Sequence, residues 1–304
     1  MINIETQASG HIWLRKGKTV DAMEEVADFP NLILDVGLRE MGSSDQYLSY
    51  CSIGTSSVTP NASQTKLLGL LRTTNANAVG EQTGANSDDP LKPYVWRRVT
   101  KRFAPSGSNA NISEISFGST SNGSTAFNRA LVKDSVGNPS TITLLGDEYL
   151  DVVYELRIYP PMQDITGTFT PTGVDTAPRS YIARPKSLGG ALVYNPALGW
   201  AVRDMLRDDG FNQSGFYSGD IGTIFAEPSG TKAGFKASFA FDAAGSSGTV
   251  TLTGQLSAAN FPTGIRSAVG ATNSWKFQFQ FDPPFMKTAD DVFTFSFRHS
   301  WGRR

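Results

Sequence analysis

The second third of the chain alternates. From Tyr94 onward, short runs put apolar residues at every second position and end on clusters of Gly, Ser, Asn and Pro. That period predicts half-buried strands. They fall at 94–105 (YVWRRVTKRFAP), 112–118 (ISEISFG), 127–134 (FNRALVKD), 140–146 (STITLLG) and 149–160 (YLDVVYELRIYP), preceded by 47–55 (YLSYCSIGT). A second set is predicted at 221–227, 235–242, 248–256, 275–282 and 291–301. The turn at Val136–Pro139 reads as the hinge of a hairpin whose strands flank it. Three segments have a helical look instead. DFPNLILDVGLREMG offers Asp28 as N-cap, Pro30 in the first turn and Gly42 as terminator; NPALGWAVRDMLRDDG is opened by Pro196 and closed by Gly210. QTKLLGLLRTT reads as a shorter helix.

These elements predict a mainly β protein of two tandem antiparallel β-sandwich domains, residues 28–162 and 180–304, each with one short helix. Residues 163–179, rich in Pro, Gly and Thr, read as the linker between them, and residues 1–27 as an N-terminal arm that docks on a partner, within which HIWLRKG (11–17) is either a short strand or a part of the arm that orders on that partner. The halves resemble each other in outline. ISEISFG and GIRSAVG precede long strands, and Leu156-Arg157 and Phe297-Arg298 hold matching places in the closing strands. That pattern suggests an internal duplication. Residues 75–93 and 119–126 are polar enough to be exposed loops.

Composition narrows the chemistry. The net charge of −1 excludes a general electrostatic nucleic-acid binder. One local basic run, RRVTKR, should put Arg98, Thr100 and Arg102 on one strand face and Arg97, Val99, Lys101 and Phe103 on the other. It reads as a solvated or inter-subunit strand. With one cysteine, Cys51, and two histidines, His11 and His299, no metal site, cofactor or catalytic residue is expected. Gly17-Lys18-Thr19 ends like a phosphate loop, but Ile12 stands where the first glycine belongs. The acidic pairs at 88–89, 147–148, 208–209 and 290–291 lie in loops or at element ends. A polar N-terminus predicts no export signal, and no apolar run is long enough to predict a membrane span. The candidate assembly or contact residues are Ile12, Trp13, Trp96, Arg98, Arg102 and Tyr217.

The segments CSIGTSSVTPNASQTKLLG, ISEISFG and FNRALVKDSVGNPSTITLLGDEYLDVVYELRIYP resemble virion structural proteins of tailed bacteriophages, among them tail-fibre, tail-appendage and collar proteins. The resemblance covers roughly residues 30–160. Gly54-Thr55-Ser56 stands where that family has a second glycine. The resemblance implies a virion component of the tail, tail fibre or neck and collar, made in the host cytoplasm. Such a component works without catalysis, by self-assembly, with a homotrimer favoured, and by binding other virion proteins. Two alternatives are a tail module that binds a host receptor or glycan, and a capsid decoration protein.

Overall fold

The computed structural model describes residues 1–44, 46–86, 93–173, 176–186, 214–242, 245–271 and 276–304. The protein is mainly β, with several antiparallel sheets. The first elements are β1 (Ile2–Gly17), β2 (Glu24–Ile33), α1 (Asp35–Ser43), β3 (Tyr50–Gly54), β4 (Leu70–Thr74), β5 (Gln82–Asn86) and β6 (Tyr94–Phe103). Next come β7 (Ala110–Ile112), β8 (Glu114–Gly118), β9 (Asn128–Leu131), β10 (Ile142–Leu144), β11 (Tyr149–Tyr159), β12 (Ile165–Phe169) and β13 (Arg179–Lys186). The remainder are β14 (Gly215–Tyr217), β15 (Lys232–Ala233), β16 (Lys236–Asp242), β17 (Ser247–Gly254), β18 (Ile265–Ala271), β19 (Lys276–Phe285) and β20 (Phe293–Arg303).

The chain forms two compact units, neither of them continuous in sequence. The first comprises residues 8–84, 96–158 and 303–304; the second comprises 1–7, 85–95 and 159–302. Strand β1 runs through both. Its alternate residues Ile2, Ile4, Thr6, Ala8, Ile12 and Leu14 are buried, so the segment expected as a docking arm is core strand.

In the first unit the strand order is β6–β11–β1–β2–β9–β8–β3–β4. The backbone after β4 then returns to β6: Ala78 N–H donates to Thr100 O (2.9 Å) and Arg102 N–H to Ala76 O (2.8 Å). The order closes on itself and leaves few unpaired edges. Three sequence expectations change here. The helix expected from Asp28 is β2 up to Ile33, paired with β1, and only residues 35–43 are helical. Pro30 is tolerated because its partner is on β1 alone; β9 meets β2 only at Leu32 and Ile33. QTKLLGLLRTT is not a helix, because β4 is held by its register with β3 and Gly69 O by the Thr55 amide (2.9 Å). The expected hairpin opens out after its turn. Strand β9 is paired on one side with β2 and on the other with β8, so β10 pairs with β7 instead.

In the second unit, β12–β13–β19–β18–β14–β15 form one sheet, and β16, β17, β20 and the start of β1 line up in another. The sequences KFQFQF and FTFSF put phenylalanine on every second position, and the two sets interdigitate. Phe279 lies 4.9 Å from Phe295 and 4.8 Å from Phe297, and Phe281 lies 5.0 Å from Phe295, centroid to centroid. The intervening Gln278 and Gln280 accept hydrogen bonds from the Gly222 amide (2.9 Å) and the Ile221 amide (2.8 Å). These side chains replace the strand expected at 221–227, which is a turn-rich loop. The segment read as a linker holds β12, whose Phe169 packs near Tyr181, Phe281 and Phe285. At the far end of β20, Thr6 Oγ1 and the buried His299 ring share a 3.1 Å hydrogen bond. The helix expected at 195–210 lies outside the described residues.

Candidate functional site

Strand alternation brings four of the six candidate residues together in the first unit. Strand β11 lies between β1 and β6. Trp13 on β1 and Trp96 on β6 both meet the Arg98 guanidinium, whose carbon lies 5.5 Å and 4.9 Å from the two ring centroids. Arg98 donates from Nε (3.0 Å) and Nη2 (2.5 Å) to Glu155 Oε2 on β11. The other carboxylate oxygen of Glu155 accepts from Arg157 Nε at 2.6 Å. One strand turn along, Arg102 makes a two-pronged contact with Asp151, Nε to Oδ1 at 2.7 Å and Nη2 to Oδ2 at 2.6 Å. Tyr149 backs it at 5.9 Å.

The layering of this face is consistent. The Glu155 and Asp151 side chains are 3% and 9% exposed, whereas those of Arg98 and Arg102 are 37% and 24% exposed. Carboxylates lie beneath and guanidinium groups reach the surface. Both tryptophans are half-buried, and each has company besides Arg98. His11 lies 4.4 Å from Trp13 between ring centroids, and a Cβ on Gly84 would come within 2.5 Å of the Trp96 ring. Glycine at 84 lets the indole lie flat across the neighbouring strand.

The remaining two candidates lie elsewhere. Ile12 points to the opposite face of β1 and is fully buried. Tyr217 is on β14 in the second unit, buried, and its hydroxyl is pushed up to about 12, by burial first and then by the nearby Glu227 charge. The other face of the basic run is interior. Arg97 donates to Glu81 (2.9 Å), and Lys101 to Asn77 Oδ1 (2.7 Å) and Asn75 O (3.3 Å). Burial lowers the Lys101 ammonium pKa and raises that of the Cys51 thiol, which is part of the core.

A second constellation went unread in the sequence: a buried ion pair between Glu114 on β8 and Arg129 on β9. Both side chains are 0% exposed, with nitrogen and oxygen 2.7 Å apart. The carboxylate also accepts the amide of Gly69 (2.6 Å) and, at 3.4 Å, those of Ser56 and Leu68; Arg129 Nη1 donates to Gln64 (3.0 Å). One carboxylate thus ties the loop 55–69 to the sheet. Gly54 is required for the close approach, since a Cβ there would meet Glu114 Oε1 and Gly69 O at 2.6 Å each. The signal was present as single charges set inside two short apolar strands, ISEISFG and FNRALV.

The acidic pair at 147–148 is neutralised from the end of β1 and the turn after it, with Lys18 2.7 Å from Asp147 and Lys16 3.2 Å from Glu148. Asp291 caps Thr288, while 88–89 and 208–209 lie outside the described residues. Among the described residues no group of three or more His, Cys, Asp or Glu is placed to hold a metal ion, and no helix is long and apolar enough to cross a membrane. The second unit has an apolar cleft of ≈ 640 Å³ between the β12 end and the β19–β20 connection, floored by Phe169, Phe285, Phe293 and Phe295. No protein family, no curated protein and no solved structure matches the chain.

Proposed function

We propose that the chain is a structural component of a tailed-bacteriophage virion, a tail, tail-fibre or neck and collar protein that acts by assembling in several copies and binding neighbouring virion proteins. One observation carries this reading: the residues that carry the sequence resemblance are framework. Gly54, Glu114 and Arg129 make the buried ion-pair knot. Asp134 accepts the amides of Val136 (3.0 Å) and Asn138 (2.8 Å) and shapes the turn in which Gly137 has φ +89°. Glu155 and Arg157 order the outer face of β11. A family marked by framework residues is one whose shared property is a shape. The surface this frame presents, Trp and Arg over buried carboxylates, has the composition of interface hot spots.

The test is location. Mass spectrometry of gradient-purified particles is expected to find the chain at a small multiple of three, six or twelve copies, and labelled electron microscopy to place it at the tail or neck. Absence from purified particles overturns the proposal. Hundreds of copies over the head would assign it to capsid decoration instead.

A further inference from the structure

We propose that the Arg98–Arg102 face is a docking surface for an extended segment of another protein carrying two carboxylates four residues apart. The inference rests on the assembly reading above and names the chemistry of one partner. Its first ground is unspent hydrogen-bonding capacity. Each guanidinium gives its Nε and Nη2 to a buried carboxylate, and no Nη1 acceptor is present for either among the described residues. Arginine always carries its charge and has five N–H donors in a fixed fork, so the remaining Nη1 edge of these partly exposed side chains suits an anionic acceptor.

The second ground is preorganisation. Arg98 is held by Glu155 and two indoles, and Arg102 by Asp151 and Tyr149. Their side-chain entropy is already lost before a partner arrives, which is the condition for a strong contact. The third is spacing. Four residues along a strand separate the two groups by about 13 Å. Carboxylates at the same interval on an extended partner meet both, as Asp151 and Glu155 do from below.

Charge balance separates a protein from a polyphosphate. The three guanidinium groups of Arg98, Arg102 and Arg157 face the carboxylates of Asp151 and Glu155, and the Asp21 charge acts on Arg102 as well. A nucleic-acid backbone is held by net positive charge, and little is left over here. Two discrete carboxylates draw on the directed guanidinium forks of Arg98 and Arg102 instead of on net charge, and apolar side chains beside them would cover the half-buried Trp13 and Trp96.

The full-length chain is titrated with a short Ser/Thr peptide carrying glutamates four residues apart, followed by calorimetry or indole fluorescence. The same peptide with its glutamates three apart, and one with glutamine in their place, are the controls. The four-spaced peptide is expected to bind about tenfold tighter than either. The variant Arg98→Lys with Arg102→Lys keeps both charges and is expected to lose that preference, with its melting curve recorded alongside; should it not fold, the spacing comparison on the unaltered chain still decides. Equal affinity for the three peptides overturns the proposal, as does tighter binding of a single-stranded oligonucleotide. Self-association of the unaltered chain that the lysine variant abolishes would give the face to a second copy and overturn it too. Failure here leaves the particle-location result untouched, and absence from particles leaves peptide binding untouched.

Discussion

Arg129 and Glu114 show how much one pair of side chains can organise. Removing one partner of a buried pair leaves an uncompensated charge and typically costs about 3–5 kcal/mol. Arg129→Met is expected to fall in that range by urea denaturation. Glu114→Leu is expected to cost more, because the carboxylate also satisfies the amides of Ser56, Leu68 and Gly69. Equal losses for the two variants would mean that those amides find other acceptors. On the outer face the same chemistry has a different outcome. Arg98 and Arg102 are partly solvated, so their pairs with Glu155 and Asp151 order a surface more than they stabilise a core.

The turn after β9 is a local device of the same framework. Gly137 has φ +89° and open space where a Cβ would stand, so Gly137→Ala is expected to cost about 1–2 kcal/mol for conformation alone. Thermal or urea unfolding measures it, and no loss would mean that the turn relaxes. Elements with one apolar face were legible in the sequence: β6, β11, β17, β19 and β20 are close to where alternation placed them. Strand β1 was legible only at HIWLRKG, as one of two readings of that segment; its first half was not, because its buried positions include Thr6, Ala8 and Gly10, which do not read as an apolar stripe. Strand β2 was masked by helix-like punctuation at Asp28 and Pro30, overridden by pairing with β1. The partner of β10 depended on which edges were already occupied, a property of the sheet and not of β10. Of the site, Trp13, Trp96, Arg98 and Arg102 were legible as unusual residues on alternating strands. Their common neighbour Glu155 was not, because it sits on a strand assigned no chemistry.

Across the whole molecule, acidic groups set the pH response. The N–H of Asn138 lowers the Asp134 carboxyl, Arg266 lowers Asp220, and the Thr288 hydroxyl lowers Asp291, each below the ordinary 3.8. A depressed carboxyl adds stability that is present above its unfolded value and lost as pH falls through its folded one. Glu40 runs the other way: burial raises it above 4.5, so protonation relieves rather than costs. The Lys18 contact lowers Asp147 and the Leu145 amide lowers Glu148 as well, so five depressed carboxyls outweigh one. The melting temperature is therefore expected to be flat from pH 7 to 5 and to fall below about 4; a rise on acidification would contradict this. The passage of β1 through both units has a consequence in time. Thr6 meets His299 across 293 residues, and Arg304 N–H bonds Ala8 O at 2.9 Å. The strand synthesised early therefore waits for β20, synthesised late, before the second unit is complete. Pairings so distant along the chain close slowly. During translation the edge of β1 that β20 will pair needs shelter, from a chaperone or from transient local partners, until the ribosome has released β20.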